Sequence, residues 1–202
     1  MTIKLYGIPG SRALRSIWAL EEAGVKYELV PTTFGPDSKT PEYLAINPNG
    51  RVPALVDGDL TLFESMAINL YVAKKYGGKL WPASEADQAR AIQWSVWGIS
   101  ELEQHLMAIL INKFMLPPDK RDAAAVEAAE KALARPLEVL DDHLAKREHL
   151  LGGAFTVADL NVASVLSTAN MVKFDLSKWP RAKAWLDACF ARPSLAKARA
   201  AK

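Results

Sequence analysis

Hydrophobic and polar positions along this chain change rhythm once, near Trp81-Pro82. Before that point short apolar runs with strand character alternate with helical spacing, the pattern of a mixed α/β unit. Residues 3–7 read as a strand. Residues 11–23 read as a helix, with Leu14, Ile17, Trp18 and Ala19 apolar and Gly24 as its stop. A second strand is expected over 25–30, a Gly/Pro/Ser/Thr-rich loop over 31–40 and a short helical turn over 41–46. Residues 53–56 and 60–62 read as a hairpin turning at Asp57-Gly58. A helix over 65–76 ends at Gly77-Gly78. Beyond Ala83 the spacing is helical throughout. A long helix is expected over 85–114, with Ile92, Val96, Ile99, Leu102 or Glu103, and Leu106 in 3–4 steps until Pro117-Pro118 breaks it. Further helices are expected over 119–146, kinked by Pro136, then over 156–172, 180–190 and 194–201. The two parts are an α/β unit over 1–78 and an all-α helical unit over 84–202.

Composition narrows the classes. Half of the 202 residues are hydrophobic, enough for a core in each unit. No apolar run approaches the ~20 residues that span a bilayer, so no membrane association is expected. The N-terminal residues read as a strand rather than a secretory signal. Net charge is +2 with acids and bases interspersed, which argues against nucleic acid as a partner. The single cysteine, Cys189, forbids an internal disulfide or a Cys-x-x-Cys site and fits a cytoplasmic location. His105, His143 and His149 have no paired ligand spacing, so no metal is expected.

The chemistry concentrates in Asn47-Pro48-Asn49-Gly50-Arg51-Val52-Pro53-Ala54-Leu55 and in Glu64-Ser65. Pro53 opens a strand, one of the few places a proline is tolerated in a sheet, and it pushes Val52 into an extended conformation. With a cis Val52-Pro53 bond, the Val52 main chain would turn outward to meet an extended peptide. Ser65 stands where a helix begins, and helix N-termini bind carboxylates. An edge for a backbone and a helix end for a carboxylate together suit a small acidic peptide.

These residues resemble the cytosolic glutathione transferases. Ser11-x-x-x-Arg15 and Phe155-Thr156-Val157-Ala158-Asp159 extend the resemblance from Ile3 to about Leu195. The βαβ then ββα order is similar to that of a thioredoxin-like fold. The resemblance implies an enzyme that joins the thiolate of glutathione, its co-substrate, to hydrophobic electrophiles. The nearest types are the bacterial theta-like or beta-like serine enzymes, acting in detoxification. It also implies a homodimer with the helices after Ser65 and Glu85 at the two-fold axis. Glu64 would face the ammonium of the γ-glutamyl unit and Ser65 its carboxylate. Val52 and Pro53 would face the cysteinyl unit, and Lys39 and Arg51 are candidates for the glycyl carboxylate or plain loop cations.

Ser11 is the candidate donor to the thiolate, or a helix cap, or both. A thiol of pKa ~8.5 needs a shift of ~2 units, under ~3 kcal/mol, to be mostly ionised at neutral pH. One charge-assisted hydrogen bond and a helix terminus supply about that much. Arg15 would bias the field or stay solvated. Tyr6 competes with Ser11, as tyrosine-type relatives use a residue at the end of the first strand. No cysteine stands between positions 8 and 14, which argues against cysteine-type relatives. Thr156 and Asp159 read as a capping box, a structural role. The electrophile pocket is expected where the long helix faces the first unit, near Met107, Ile111 and Phe114. A non-catalytic glutathione- or ligand-binding or protein-interaction module of the same fold is the alternative.

Overall fold

The computed structural model describes residues 2–202; Met1, the first residue of the expected α/β unit, lies outside them. The chain forms two compact units, Met1–Ala83 with Ala191–Lys202, and Ser84–Phe190.

In the first unit four strands align in the order β2-β1-β3-β4. They are β1 (Ile3–Tyr6), β2 (Tyr27–Val30), β3 (Ala54–Asp57) and β4 (Leu60–Phe63). β1 runs parallel to β2 and antiparallel to β3, and β3 pairs antiparallel with β4. Alternation on β1 buries Ile3 and Leu5 on one face. The apolar stripes of α1 (Ala13–Ala23) and α3 (Ser65–Tyr76) supply Ile17, Trp18, Leu20, Ile68 and Val72 to this core. A second small core joins Tyr43 of α2 (Pro41–Ile46) to Val52, Ala54, Tyr6 and Ile46. The hairpin turns at Gly58-Asp59, one residue later than expected, because Asp57 pairs with Leu60 and Gly58 takes the left-handed position at φ +63°. Asp57 then reaches α3. Its Oδ2 accepts from Tyr71 Oη at 2.5 Å, Tyr76 Oη at 2.6 Å and Lys75 Nζ at 2.7 Å.

The tail corrects the expected domain limits. α10 (Pro193–Ala200) buries Leu195 and Ala198 and belongs with the first unit, not with the helical one. Trp18 Nε1 donates to Ser194 Oγ at 3.1 Å, and Arg192 Nε donates to Glu22 Oε2 at 3.0 Å. Burial alone would raise the Glu22 carboxyl, but the Arg192 guanidinium and Ser194 hydroxyl hold it below its usual range.

The second unit is helical. α4 (Glu85–Trp97) and α5 (Gln104–Leu110) form one long rod with two wider π-type turns, Gly98–Glu103 and Ile111–Met115. The next helix divides into α6 (Ala123–Ala132) and α7 (Ala134–His143) at Leu133. The break falls there because Pro136 has no N–H to offer the Ala132 carbonyl four residues back. α8 (Val157–Met171) is buried along most of its length, and α9 (Pro180–Phe190) follows. Asp141 receives the first N–H groups of α9, from Arg181 at 2.8 Å and Ala182 at 2.9 Å. His149 lies outside the helices, bridged to Gly152.

Asp159 organises the start of α8. Its Oδ2 accepts from Thr156 N at 3.0 Å, and its Oδ1 from Leu150 N at 2.8 Å and Trp185 Nε1 at 2.9 Å. Thr156 Oγ1 accepts from Ala158 N at 3.3 Å, completing the capping box. Thr156→Ala should cost about 1 kcal/mol of stability in urea unfolding. Asp159→Ala strands buried donors and should cost about 3 kcal/mol or more. Normal melting with lost turnover in Asp159→Ala would make this carboxylate a participant in the chemistry instead.

The Asp57 carboxyl gives a pH prediction. Burial alone raises it, yet Lys75, Tyr71 and Tyr76 carry it down from 3.8 to about 2. A group depressed on folding stabilises fully above its unfolded pKa and loses that contribution as pH falls through its folded pKa. Urea midpoints should therefore fall more steeply in the native chain than in Asp57→Asn between 3.8 and about 2. Parallel curves would show that the three donors do not favour the ionised form.

Candidate functional site

The loop before β3 is built by Asn47. Its side chain, 2% exposed, donates from Nδ2 to the Arg51 carbonyl at 2.6 Å and accepts from Asn49 N at 3.1 Å. Tyr43 Oη donates to the same carbonyl at 2.7 Å. Burial pushes the Tyr43 phenol up to about 12, so it stays a donor throughout the neutral range. Gly50 closes the turn at φ +58°, where an added Cβ would lie 2.8 Å from the Ser38 carbonyl oxygen. Lys39 crosses this glycine and donates to the Asn49 carbonyl at 3.4 Å. Lys39 and the exposed Arg51 thus stand on one loop surface.

The loop delivers Val52-Pro53, whose peptide bond is cis as expected. The β1–β3 ladder begins only at Ala54, opposite Tyr6, so the main chain of Val52 lies outside it. On the other side of β3, Ala54 pairs with Phe63. That pair is the last of the ladder: Val52-Pro53 precedes Ala54 and Glu64-Ser65 follows Phe63. The two halves of the sequence motif, separated along the chain, are therefore neighbours at one end of the sheet.

Glu64 joins β4 to α3 with φ 70° and ψ 114°, a conformation rare for a residue with a Cβ. Its side chain is exposed and makes no capping bond, while its carbonyl accepts the first helical bond from Ile68 N at 3.0 Å. Ser65, 6% exposed, is the first helical residue, and N–H groups in this first turn have no intrahelical acceptor. The corner is therefore a ready anion site.

Gly7 ties the Ser11 loop to this corner. An added Cβ would lie 2.3 Å from Ala13 Cβ and 3.7 Å from Val52 Cβ, so only glycine permits this approach. Ser11, half-buried, donates to the Ile8 carbonyl at 2.8 Å and accepts from Ala13 N at 3.1 Å. It satisfies the first N–H of α1, just before the Arg12 cap position, and its own proton goes to the Ile8 carbonyl. Arg15, for which the sequence left a field-biasing or a solvated place open, is buried in α1 at 6% exposure. Tyr6 packs edge-on against Tyr43, ring centroids 6.0 Å apart, in the second core. Asn47 and Gly7 were not assigned a role from sequence; the signal for Asn47 was its Asn-Pro-x-Gly turn chemistry. Among the described residues, no group of three His, Cys, Asp or Glu side chains could hold a metal, and no helix is long and apolar enough to cross a membrane.

In the helical unit Ile111, Phe114 and Met115 are exposed around the second π-type turn, and Met107 is half-buried on α5.

Comparison with known proteins identifies the family. Residues 1–74 match the glutathione S-transferase N-terminal domain and residues 104–193 its C-terminal domain. Glutathione S-transferase 3 of Zea mays is 39% identical, over 98% of this chain and 94% of its own. The structure of glutathione S-transferase I from Mais in complex with an atrazine–glutathione conjugate superposes with a TM-score of 0.89 at 36% identity, covering 99% of this chain and 97% of that one. A theta class glutathione S-transferase from Xanthomonas axonopodis pv. citri with glutathione bound gives 0.89 at 30% identity, covering 100% and 98%. With both domains matched and the fold shared across nearly its whole length, this chain belongs to the glutathione S-transferase family.

Proposed function

We propose that this chain binds glutathione at the Val52-Pro53 and Glu64-Ser65 corner and joins its thiolate to electrophilic small molecules. The observation that supports this reading is the end of the β3–β4 ladder at Ala54 and Phe63, from which the chain runs into Val52-Pro53, outside the β1–β3 ladder, on one side and into the start of α3 on the other. Ser65, through its hydroxyl and N–H, takes the γ-glutamyl carboxylate, and the exposed Glu64 carboxylate takes the ammonium. The Val52 main chain pairs with the cysteinyl unit. Lys39 and Arg51, on the adjoining loop, suit the glycyl carboxylate.

Ser11 acts on the sulfur. A hydroxyl has one proton and two lone pairs, so it can keep the Ala13 cap as acceptor while its proton turns from the Ile8 carbonyl to a thiolate. The start of α1 adds partial positive charge. The thiolate attacks the electrophilic carbon, forming the S–C bond as a leaving group departs with its electron pair or as an activated double bond takes up the charge. Buried Arg15, one turn on, supports the helix and its field. The protein contributes orientation and thiolate stabilisation, and the sulfur contributes the nucleophile. For the electrophile, the helical unit offers the exposed apolar side chains of Ile111 and Phe114, with Met107 nearby in sequence.

The same proposal takes the protein as a cytoplasmic homodimer. Ile92, Val96 and Ile99 form an exposed apolar stripe on α4 and the turn beyond it, and Leu60 and Phe63 are partly exposed on β4. An isologous contact would cover such patches on both copies. Light scattering at micromolar concentration should give twice the chain mass, and Val96→Glu should halve it. A monomer in the unmodified chain would contradict the assembly.

The binding half is tested by glutathione affinity. Ser65→Ala and Glu64→Gln should each cost about 1.5–3 kcal/mol of binding, the value of a charge-assisted hydrogen bond. Affinities unchanged in both would move the site elsewhere.

For the activator, thiolate absorbance of bound glutathione against pH is the readout. Ser11→Ala should raise the bound thiol toward the free value of ~8.5 and slow turnover at neutral pH, with little change in affinity. Tyr6→Phe should leave both nearly as they were. The reverse pattern would make Tyr6 the activator.

A further inference from the structure

Away from the proposed glutathione contacts, three side chains converge on one carboxylate oxygen of a fourth. Asp57 is the last residue of β3, and its side chain is only 8% exposed. Tyr71, Lys75 and Tyr76 come from the C-terminal half of α3, and all three donate to Asp57 Oδ2. Lys75 Nζ also donates to Tyr71 Oη at 2.9 Å and lies 5.4 Å and 4.9 Å from the centroids of the Tyr71 and Tyr76 rings. The two rings meet edge to face at 6.3 Å. None of these residues has a part in the proposed chemistry.

Their place in the fold gives them one. β3 leads through the hairpin into β4, β4 into Glu64, and Glu64 into α3; the Asp57 cluster returns α3 to β3. The result is a closed frame with Glu64 and Ser65 at one corner and the cluster on the opposite side. Glu64 holds a left-handed φ of 70° without being glycine. Such a conformation persists only where its surroundings over-determine it. The β3–β4 ladder fixes the residue before it, since Phe63 pairs with Ala54. On the other side α3 must be fixed in tilt and in position along its axis. Its apolar packing through Ile68 and Val72 is non-directional. Three hydrogen bonds onto one carboxylate oxygen are directional and fix both.

We infer that Asp57, with Tyr71, Lys75 and Tyr76, is a positioning clamp that holds Glu64 in its left-handed conformation and so aims the Ser65 N–H and hydroxyl at the glutathione carboxylate. This inference rests on the reading of Ser65 as a glutathione contact. Loosening the clamp lets α3 tilt and Glu64 relax, and the cost appears in glutathione binding rather than in the chemical step.

The test compares Asp57→Asn and the Tyr71→Phe, Tyr76→Phe pair with the unmodified enzyme, at a temperature where circular dichroism shows all of them folded. Glutathione KM, calorimetric Kd and kcat at saturating glutathione are measured. KM and Kd should rise together by about tenfold, with kcat changed by less than about twofold. Thr156→Ala, which loosens the other unit, should lower stability without moving glutathione KM, and so shows what a purely structural defect looks like. Folded Asp57→Asn and double-tyrosine variants with native KM and Kd would overturn the clamp. If Asp57→Asn does not fold, the tyrosine pair decides alone, because it leaves the Lys75 ion pair in place. Ser65→Ala separates the two levels. Lost affinity there with native affinity in the clamp variants refutes the clamp only; native affinity in Ser65→Ala refutes the site and the clamp together.

Discussion

The antiparallel register of β3 and β4 is the constraint on which the rest depends. Ala54 opposite Phe63 ends the ladder, and the chain continues from that pair into Val52-Pro53 on one side and into Glu64-Ser65 on the other. A slip of one residue would turn the alternating side chains to the wrong faces. It would also separate the unladdered main chain of Val52 from the start of α3. Everything around that end of the sheet maintains the alignment. Asn47 and Tyr43 hold the Arg51 carbonyl on one side. Gly7 admits Ala13 and Val52 at close range beneath it. The Asp57 carboxylate holds the far end of α3.

The register also brings fold and chemistry into one place. The first turn of α3 needs acceptors for its N–H groups, and Glu64 does not cap them with its side chain. In the proposed reading an anionic ligand satisfies what the fold leaves open. At α1 the balance differs, because Ser11 already accepts from Ala13 N. There the proposed dual role of the hydroxyl requires its single proton to change partner. The helical unit has the opposite design. Asp159 is wholly buried and its oxygens are taken up by main-chain, hydroxyl and indole donors, which ties it to the fold.

Much of this was legible in the sequence because it is local. The limits of α3 and α9 follow from Ser65, Gly77 and Pro180, and the Thr156–Asp159 box from its own spacing. The cis Val52-Pro53 bond and the helix-start position of Ser65 were expected from turn and proline chemistry. What was not legible depends on distant partners. α10 has the same 3–4 spacing as its neighbours, and only the Trp18, Glu22 and Arg192 contacts return it to the first unit. Whether Arg15 biases the field or stays solvated is open in the sequence, and its burial follows only from the packing of α1. The π-type turns inside the long helix leave no mark on its apolar period. The hairpin turn moved to Gly58-Asp59 because pairing of Asp57 with Leu60 outweighed the Asp-Gly signal.

The account is tested most directly by an amide proton–nitrogen titration with glutathione on the isotopically labelled protein. Saturable shifts should be largest at the Val52 and Ser65 amides, with smaller ones along the 47–51 loop and at Ser11. Glutathione lacking its γ-glutamyl carboxylate should shift Val52 while leaving Ser65 nearly unmoved. Tight binding that leaves both amides unperturbed would contradict the claim that the β3–β4 register builds the glutathione site.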